Sequence, residues 1–239
     1  MSASEKDLVR AARHRGPSLV AVSVVYAVFV LAGVILPTVM AGGRHFPSPF
    51  EPDAARWFAE QPRAALASSL FVFISAVPLG IFAASASSRV QFLGMKVAGI
   101  HIAWFGGIAS SVALATSAFA QWVLAQPGLS DSTAHALHLF SFVAGGPGFI
   151  VPFGLLMAGI ATVAGLQDFI PRWLMWFGLI LSALAEVAVL ALVWRPAVFL
   201  LPIVRFVGLF WLIAVGAFLP KSKEPRRQAQ VSTTRHGEV

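Results

Sequence analysis

Long apolar runs constrain this chain more than any other feature, because they exceed what the core of a soluble domain requires. Several reach or exceed the roughly 20 residues with which a helix crosses the hydrocarbon core of a bilayer. Charged residues make up 11% of the 239 positions and hydrophobic residues 58%, whereas a soluble domain has about 25% charged residues. A transmembrane β-barrel would show short alternating segments instead. The sequence therefore predicts an all-α polytopic membrane protein.

Six spans follow from these runs and from the polar turns between them. They cover approximately residues 18–41, 64–86, 97–124, 132–165, 171–193 and 197–220. A basic N-tail, 1–17, precedes them, and the polar C-tail, 221–239, has the composition of a disordered segment. The first run is longer than the roughly 7–15 apolar residues of a signal peptide, which favours a retained signal anchor.

Lysine and arginine are distributed unevenly along the chain. With the N-terminus inside, the outer loops hold only Arg44, Arg56, Arg63 and Arg195, and Arg205 lies within a span. Because cytoplasmic segments are enriched in these residues, we expect both termini in the cytoplasm. The net charge of +7 arises mostly in the two tails, which indicates contact with anionic membrane lipids rather than with nucleic acid.

The longest loop between spans reads GGRHFPSPFEPDAARWFAEQPR. Its portion between Pro52 and Pro62 is compatible with a short helix at the membrane interface, where aromatic side chains are enriched. We expect Trp57 and Phe58 to face lipid there.

The fourth span is longer than a bilayer requires and contains residues that interrupt helices. These are Gly145, Gly146, Pro147 and Gly148, followed by Pro152. One interpretation is a helix break at 145–148, which survives in a membrane where the freed backbone groups are buried or line a wet cavity, and which marks binding sites in transporters. The other is a single kinked helix with an interfacial extension.

Small residues recur at every fourth position in two spans. The third span carries Gly99, Ala103, Gly107, Ser111 and Ala115, and the second carries Ala76, Gly80, Ala84 and Ser88. Such stripes let helix backbones approach closely. They predict tight packing within the bundle, or a face for a homodimer or a membrane partner.

The last two spans, joined by a WRP turn, each contain one ionisable residue, Glu186 and Arg205. At about 1.5 Å per residue, both lie roughly 10–12 Å below the predicted outer boundary. An unpaired charge in the membrane costs from about 3 to more than 10 kcal/mol, so each requires a partner or water. Two interpretations follow: a salt bridge that fixes helix register, or a polar site in which Arg205 binds an anion or Glu186 takes up a proton.

Histidines lie near the outer start of the fourth span. Asp131, His135 and His138 share one helix face, and two histidines with a carboxylate suit zinc or another transition metal. The alternative is that Ser130 or Asp131 caps the helix and the histidines line a wet vestibule. The chain has no cysteine, which excludes disulfides and thiolate catalysis.

A resemblance covers approximately residues 140–220, from GGPGFIVPFGLLMAGIA through DFIPRWLMWFGLILSALAEVAVL to LPIVRFVGLFWLIAVGAFLP. This region resembles small bacterial integral membrane proteins of unknown function, with an I-P-R-W-L entry into one span and R-F-x-G-x-x-W-L-I in the last. The resemblance implies a bacterial inner-membrane protein and brings no activity or catalytic residue with it.

The predicted function is binding, sensing or small-solute transport by a polar pocket in the outer half of the bundle, lined by His135, His138, Glu186 and Arg205. One alternative is a metal-dependent membrane enzyme that uses Asp131, His135 and His138. Another is a structural or regulatory subunit that packs through its small-residue stripes. The chain shows no Walker, H-E-x-x-H or G-x-S-x-G motif, which favours a role other than catalysis.

Overall fold

The computed structural model describes residues 14–51 and 54–222, and within these ranges the chain is all-helical. The start of the N-tail and residues 223–239, on which the prediction of disorder falls, lie outside the described residues. Six segments are long and apolar enough to span a membrane: Leu19–Met40, Pro62–Phe92, Ala98–Leu124, Asp131–Leu166, Arg172–Leu192 and Arg195–Phe218. The polytopic helical class predicted from the sequence agrees with this architecture.

The described α-helices are α1 (Leu19–Met40), α2 (Ala54–Glu60), α3 (Pro62–Phe92), α4 (Ala98–Leu124), α5 (Asp131–Gly145), α6 (Pro147–Leu166), α7 (Arg172–Val187) and α8 (Leu200–Phe218). All but α2, which lies in the loop between the first two spans, belong to the six spans. Two 3₁₀ turns, Ala188–Leu192 and Arg195–Phe199, connect α7 to α8. Ser18 and Ser130 cap α1 and α5 by accepting from the backbone N–H groups of Ala21 and Thr133.

One helix boundary differs from that predicted. Helix α3 continues to Phe92, past the predicted end near residue 86, so Arg89 lies within the helix and is only 1% exposed. In the fourth span α5 ends at Gly145 and α6 begins at Pro147, with Gly146 between them. Proline is favourable in the first turn of a helix because its missing N–H has no partner there.

The helices pack into a closed ring. Helix α1 packs on α3, α3 on α4, α4 on α6, α6 on α7, α7 on α8, and α8 returns to α1, while α5 lies against α4. The loop 41–61 covers one end of the bundle, which we call the loop end. At the opposite end, the termini end, the backbone N–H of His14 donates to the carbonyl of Lys221 at 2.9 Å.

The small-residue stripes of α3 and α4 meet each other inside the chain. A Cβ added to Gly80 would lie 3.2 Å from the Ser111 hydroxyl oxygen, and that hydroxyl donates to the Ala76 carbonyl. A Cβ added to Gly107 would come still closer to the Cβ of Ala83. Close backbone approach without a hydrophobic drive is the packing mode of membrane helices, and the stripes serve it between neighbouring spans of one chain.

Large apolar side chains cover the outside of the ring. Val28, Phe105, Val112 and Phe210 are between 56% and 71% exposed. Apolar surface of this extent is not found on soluble monomers, whereas it matches the hydrocarbon of a bilayer. The packed interior and the lipid-facing exterior are therefore both apolar, and polar groups are confined to a few places within the bundle.

Candidate functional site: a cavity at the loop end

A cavity of about 510 Å³ lies at the loop end of the bundle. Its walls come from α1, α3, α4, α5, the second 3₁₀ turn, α8 and the loop segment 45–51. Its volume falls within the roughly 300–1,000 Å³ of small-molecule sites. Both α1 and α8 line the cavity. At the termini end the same two helices are in close contact, because Gly216 leaves no room for a Cβ beside Leu19 and Val20.

A band of neutral polar side chains crosses one wall of the cavity. Ser68 donates to the Gln121 side-chain oxygen at 3.1 Å, and the Gln121 amide donates to the Ser117 hydroxyl at 3.5 Å. The Ser117 hydroxyl lies 3.1 Å from that of Ser141. These four buried side chains join α3, α4 and α5. Because they satisfy one another, they present a polar but uncharged surface.

Arg205 supplies the positive charge in the cavity wall. Its Nη2 donates to the carbonyl of Gly145, the last residue of α5, and its guanidinium carbon lies 4.9 Å from the centre of the Phe149 ring. Both contacts suit a cation, since a helix C-terminus carries partial negative charge and so does an aromatic face. Among the described residues, no carboxylate forms an ion pair with Arg205.

His138 lies beside the loop and is 3% exposed. The centre of its ring lies 4.9 Å from that of Phe58 and 6.0 Å from that of Phe46, with both pairs in a T-shaped arrangement. The ring also interacts with the Pro47 backbone. Within the described residues, the His138 Nδ1 has no hydrogen-bond partner. A buried polar atom without a partner is uncommon and costly, which makes this nitrogen a candidate ligand contact.

The predicted orientation of the loop aromatics is wrong. A short helix forms, as α2, but Trp57 and Phe58 are 7% and 2% exposed and face the bundle rather than lipid. Both rings pack on Phe46, with ring centres 5.2 and 5.4 Å away. The two rings pack inward instead of facing lipid because apolar partners such as Leu124 and Ala134 are present at the loop end. The loop is therefore a packed cover over His138.

Ion pairs lie on the exposed face of this cover. Glu60 at the end of α2 accepts from Arg44 at 2.9 Å and from Arg56 at 2.7 Å. These hydrogen bonds, from Arg44 first and Arg56 second, hold the pKa of Glu60 below its usual value. A second, outer pocket of about 340 Å³ lies here and shares His45, Pro47 and Glu51 with the cavity. Segment 45–51 thus lies between the cavity and this outer pocket.

The structure brings together only part of the predicted pocket. Arg205 and His138 line the cavity, whereas Glu186 and His135 are exposed and are not among its lining residues. Glu186 faces α6, where its Oε1 lies 3.2 Å from the position of a Cβ on Gly154. Helix α8 directs Arg205 towards α5 instead, so the predicted Glu186–Arg205 salt bridge does not form between these described residues.

The predicted metal ligands are not assembled either. Asp131 and His135 are exposed, while His138 is covered by the loop. Within residues 14–51 and 54–222, no group of three His, Cys, Asp or Glu side chains is placed to hold a metal ion. The physical reason is length: seven residues separate Asp131 from His138, about 10 Å of helix rise, and α5 begins beyond the loop cover.

The glycines of the fourth span contribute backbone to the cavity. Gly145 and Gly146 line it, and the Gly145 carbonyl is the acceptor for Arg205. A carbonyl at the end of a helix has no intrahelical donor, so the end of α5 inside the bundle supplies the acceptor that Arg205 uses. Pro152 lies deeper, where its carbonyl packs on Gly106 of α4.

No protein-family model, curated protein or solved structure matches this chain.

Sequence reasoning missed Ser117, Gln121, Ser141 and Phe46 as site residues. Gln121 could have been selected from the sequence, since a glutamine inside an apolar span forms hydrogen bonds within the bundle. Phe46 gave none, because nothing in a polar loop indicates which aromatic residue folds inward.

Proposed function

We propose that the loop-end cavity binds a small solute, and that the chain acts in binding, sensing or small-solute transport. The observation that carries this proposal is one cavity of about 510 Å³ that brings a guanidinium, Arg205, and a buried imidazole, His138, to its wall. Ligand sites are concave, mostly apolar and contain a few convergent polar groups. The cavity has this composition.

The proposal includes a location and an orientation. The chain is a multi-pass protein of a bacterial inner membrane with both termini in the cytoplasm, so the cavity opens towards the outer side. Support comes from the excess of lysine and arginine in the tails and in the loops on their side. The even number of apolar spans agrees with it, because both termini then lie on the same side.

Single-cysteine labelling tests whether the cavity is open to water, and the natural chain has no cysteine to interfere. Val198 and Val207 are both half-buried and both pack against the apolar core, but Val198 lines the cavity and Val207 on α8 does not. Intact cells carrying Val198→Cys or Val207→Cys are treated with a membrane-impermeant maleimide. We expect labelling of Val198→Cys alone. Failure of Val198→Cys to react would contradict a solute site reached from the outside.

A further inference from the structure

The cavity has two chemically distinct parts. Neutral polar groups and Arg205 form one part, and apolar side chains of α1 and α8 form the other. On the apolar side, Val34 lines the cavity while 47% exposed, and Pro202 is also exposed. Both residues belong to membrane spans. The cavity therefore reaches the lipid-facing surface of the bundle between α1 and α8.

Within residues 14–51 and 54–222, no acidic side chain neutralises the charge of Arg205. Its one hydrogen bond to Gly145 uses Nη2, whereas a guanidinium has five N–H donors in a fixed fork that fits carboxylate and phosphate oxygens. Near it, the Tyr26 hydroxyl is buried and has no hydrogen-bond partner within the described residues. An anion placed at this fork would offset the cost of an unpaired charge in the membrane.

Among the described residues that line the cavity, the one carboxylate is that of Glu51, which lies at the rim and already has partners. Glu51 accepts from the backbone N–H of Ser48 at 3.1 Å and lies 3.6 Å from the His45 ring. A cationic ligand would therefore meet Arg205 and no free acid in the inner part of the cavity. The lining selects against positive charge and in favour of negative charge.

From these placements we infer that the ligand is an anionic amphiphile: a carboxylate or phosphate monoester headgroup at Arg205, with an apolar chain leaving between α1 and α8. This inference rests on the proposed function and names its ligand class. The headgroup exchanges water for the guanidinium fork and the polar wall, and the chain remains in contact with Val34, Leu201 and Phe206 or with lipid. Entry from the membrane follows from the exposed wall residues.

Protection of Val198→Cys from labelling measures binding with defined probes. The probes share a twelve-carbon chain and differ in headgroup: dodecanoate, dodecyl phosphate, dodecanol and dodecyltrimethylammonium. Acetate and inorganic phosphate are the anions without a chain. Val193→Cys controls for general effects on the membrane, because Val193 lies in the turn at the same end, is 85% exposed and does not line the cavity.

We expect dodecanoate, dodecyl phosphate or both to protect Val198→Cys at concentrations at least about tenfold below those of the neutral and cationic probes. Acetate and phosphate should not protect at these concentrations. In the Arg205→Gln variant the advantage of the anions should be lost, and Arg205→Lys, which keeps the charge without the fork, should retain part of it. Unchanged labelling of Val193→Cys and an unchanged gel-filtration profile show that the variants fold.

Each contrary outcome identifies what has failed. Equal protection by dodecanol or dodecyltrimethylammonium, or an anion preference that survives Arg205→Gln, would overturn the ligand class. Equal protection by acetate or inorganic phosphate would show that the ligand needs no apolar chain. If Val198→Cys is labelled and no probe protects it, the amphiphile inference fails while a water-accessible site stands. If it is not labelled at all, the proposed function itself fails.

Discussion

Two arginines inside the bundle, a buried one near the termini end and a half-buried one near the loop end, show how the same side chain is used in two ways. Arg89 near the termini end is 1% exposed and donates to the carbonyls of Pro17 at 3.1 Å and Leu219 at 3.5 Å. Arg205 near the loop end has one backbone acceptor and lines a cavity. Arg205 meets the Gly145 carbonyl at the C-terminal end of α5, and Arg89 meets the Leu219 carbonyl at the C-terminal end of α8, where partial negative charge accumulates. Arg89 joins the segments before α1 and after α8, whereas Arg205 keeps donors for the proposed ligand.

The difference lies in the surroundings of the two side chains. At the termini end, α1 and α8 are in close contact through Gly216, and the guanidinium of Arg89 bridges the segments that flank them. At the loop end the same two helices line a cavity with α3, α4 and α5 between them. A buried arginine in a membrane span is therefore a structural clamp or a ligand contact according to how much space the helices leave beside it.

The two arginines should differ most in their contribution to stability. We expect Arg89→Gln to lower the free energy of unfolding by about 3 kcal/mol, because hydrogen bonds to charged groups contribute about 1.5–3 kcal/mol each. Arg205→Gln should change it by less than about 1 kcal/mol, since the lost hydrogen bond is offset by removal of an unpaired charge. Unfolding in detergent measures both, and equal losses would erase the distinction between clamp and ligand contact.

A second test compares packing in the two halves through glycine. A Cβ on Gly106 of α4 would lie 2.6 Å from the Leu156 backbone nitrogen, whereas a Cβ on Gly33, which lines the cavity, meets Phe71 at 3.3 Å. We expect Gly106→Ala to cost about 2 kcal/mol by overpacking and Gly33→Ala to cost clearly less. Thermal unfolding of both variants measures these losses of stability. A larger loss of stability for Gly33→Ala would mean that the loop end is the more tightly packed half.

The loop cover should respond to loss of its aromatic anchor. Phe58 packs on His138 and Phe46, so Phe58→Ala removes buried area that holds α2 against the bundle. We expect labelling of Val198→Cys to accelerate about fivefold, a change of roughly 1 kcal/mol in the opening of the cover. Labelling of Val193→Cys serves as the control. A rate that does not change would show that solutes reach the cavity without displacing the loop.

The smallest effect is expected at the exposed ion pairs of Glu60. Glu60→Gln should alter the labelling of Val198→Cys by about twofold or less, because exposed pairs contribute little. The pKa of Glu60 is lowered by the bonds from Arg44 and Arg56, so these bonds are present above the ordinary carboxyl pKa and are lost as the pH falls through the lowered value.

The matching pH experiment follows the labelling rate of Val198→Cys below the usual carboxyl range. Acidification should raise the rate of Val198→Cys relative to that of Val193→Cys, which corrects for the loss of thiolate in acid. This relative rise should occur in the background with Glu60 and not in Glu60→Gln. If the labelling rate changes equally with and without Glu60, another titratable group holds the loop on the bundle.

The helical class and six apolar spans followed from the sequence because they depend on length and hydropathy alone. Arg205 and His138 could be selected as site residues for a similar reason, since a polar side chain in an apolar span requires a partner wherever it lies. Their shared cavity depends on where α1 and α8 separate. The packing of these two helices brings together segments at opposite ends of the sequence, as the contact of Gly216 with Leu19 and Val20 shows.

Glu186 and Arg205 show that equal depth in the membrane does not predict which side chains form a pair. Two residues at one predicted depth meet only if their helices are rotated towards each other. The end of the α-helix at Val187 and the 3₁₀ turns after it alter that rotation. Arg89 shows the converse, because a helix that continues past its apolar run carries a residue assigned to a loop into the buried interior.

The central claim is that Arg205 makes the loop-end cavity selective for anions, and charge-selective labelling tests it most directly. The rates of reaction of Val198→Cys with an anionic and a cationic methanethiosulfonate of similar size are compared, with Val193→Cys as reference. Val198 is about 10 Å along the helix from Arg205, which predicts a rate ratio about tenfold in favour of the anion. Arg205→Gln should return the ratio to that of Val193→Cys. An equal ratio at both cysteines in the natural background would contradict the claim.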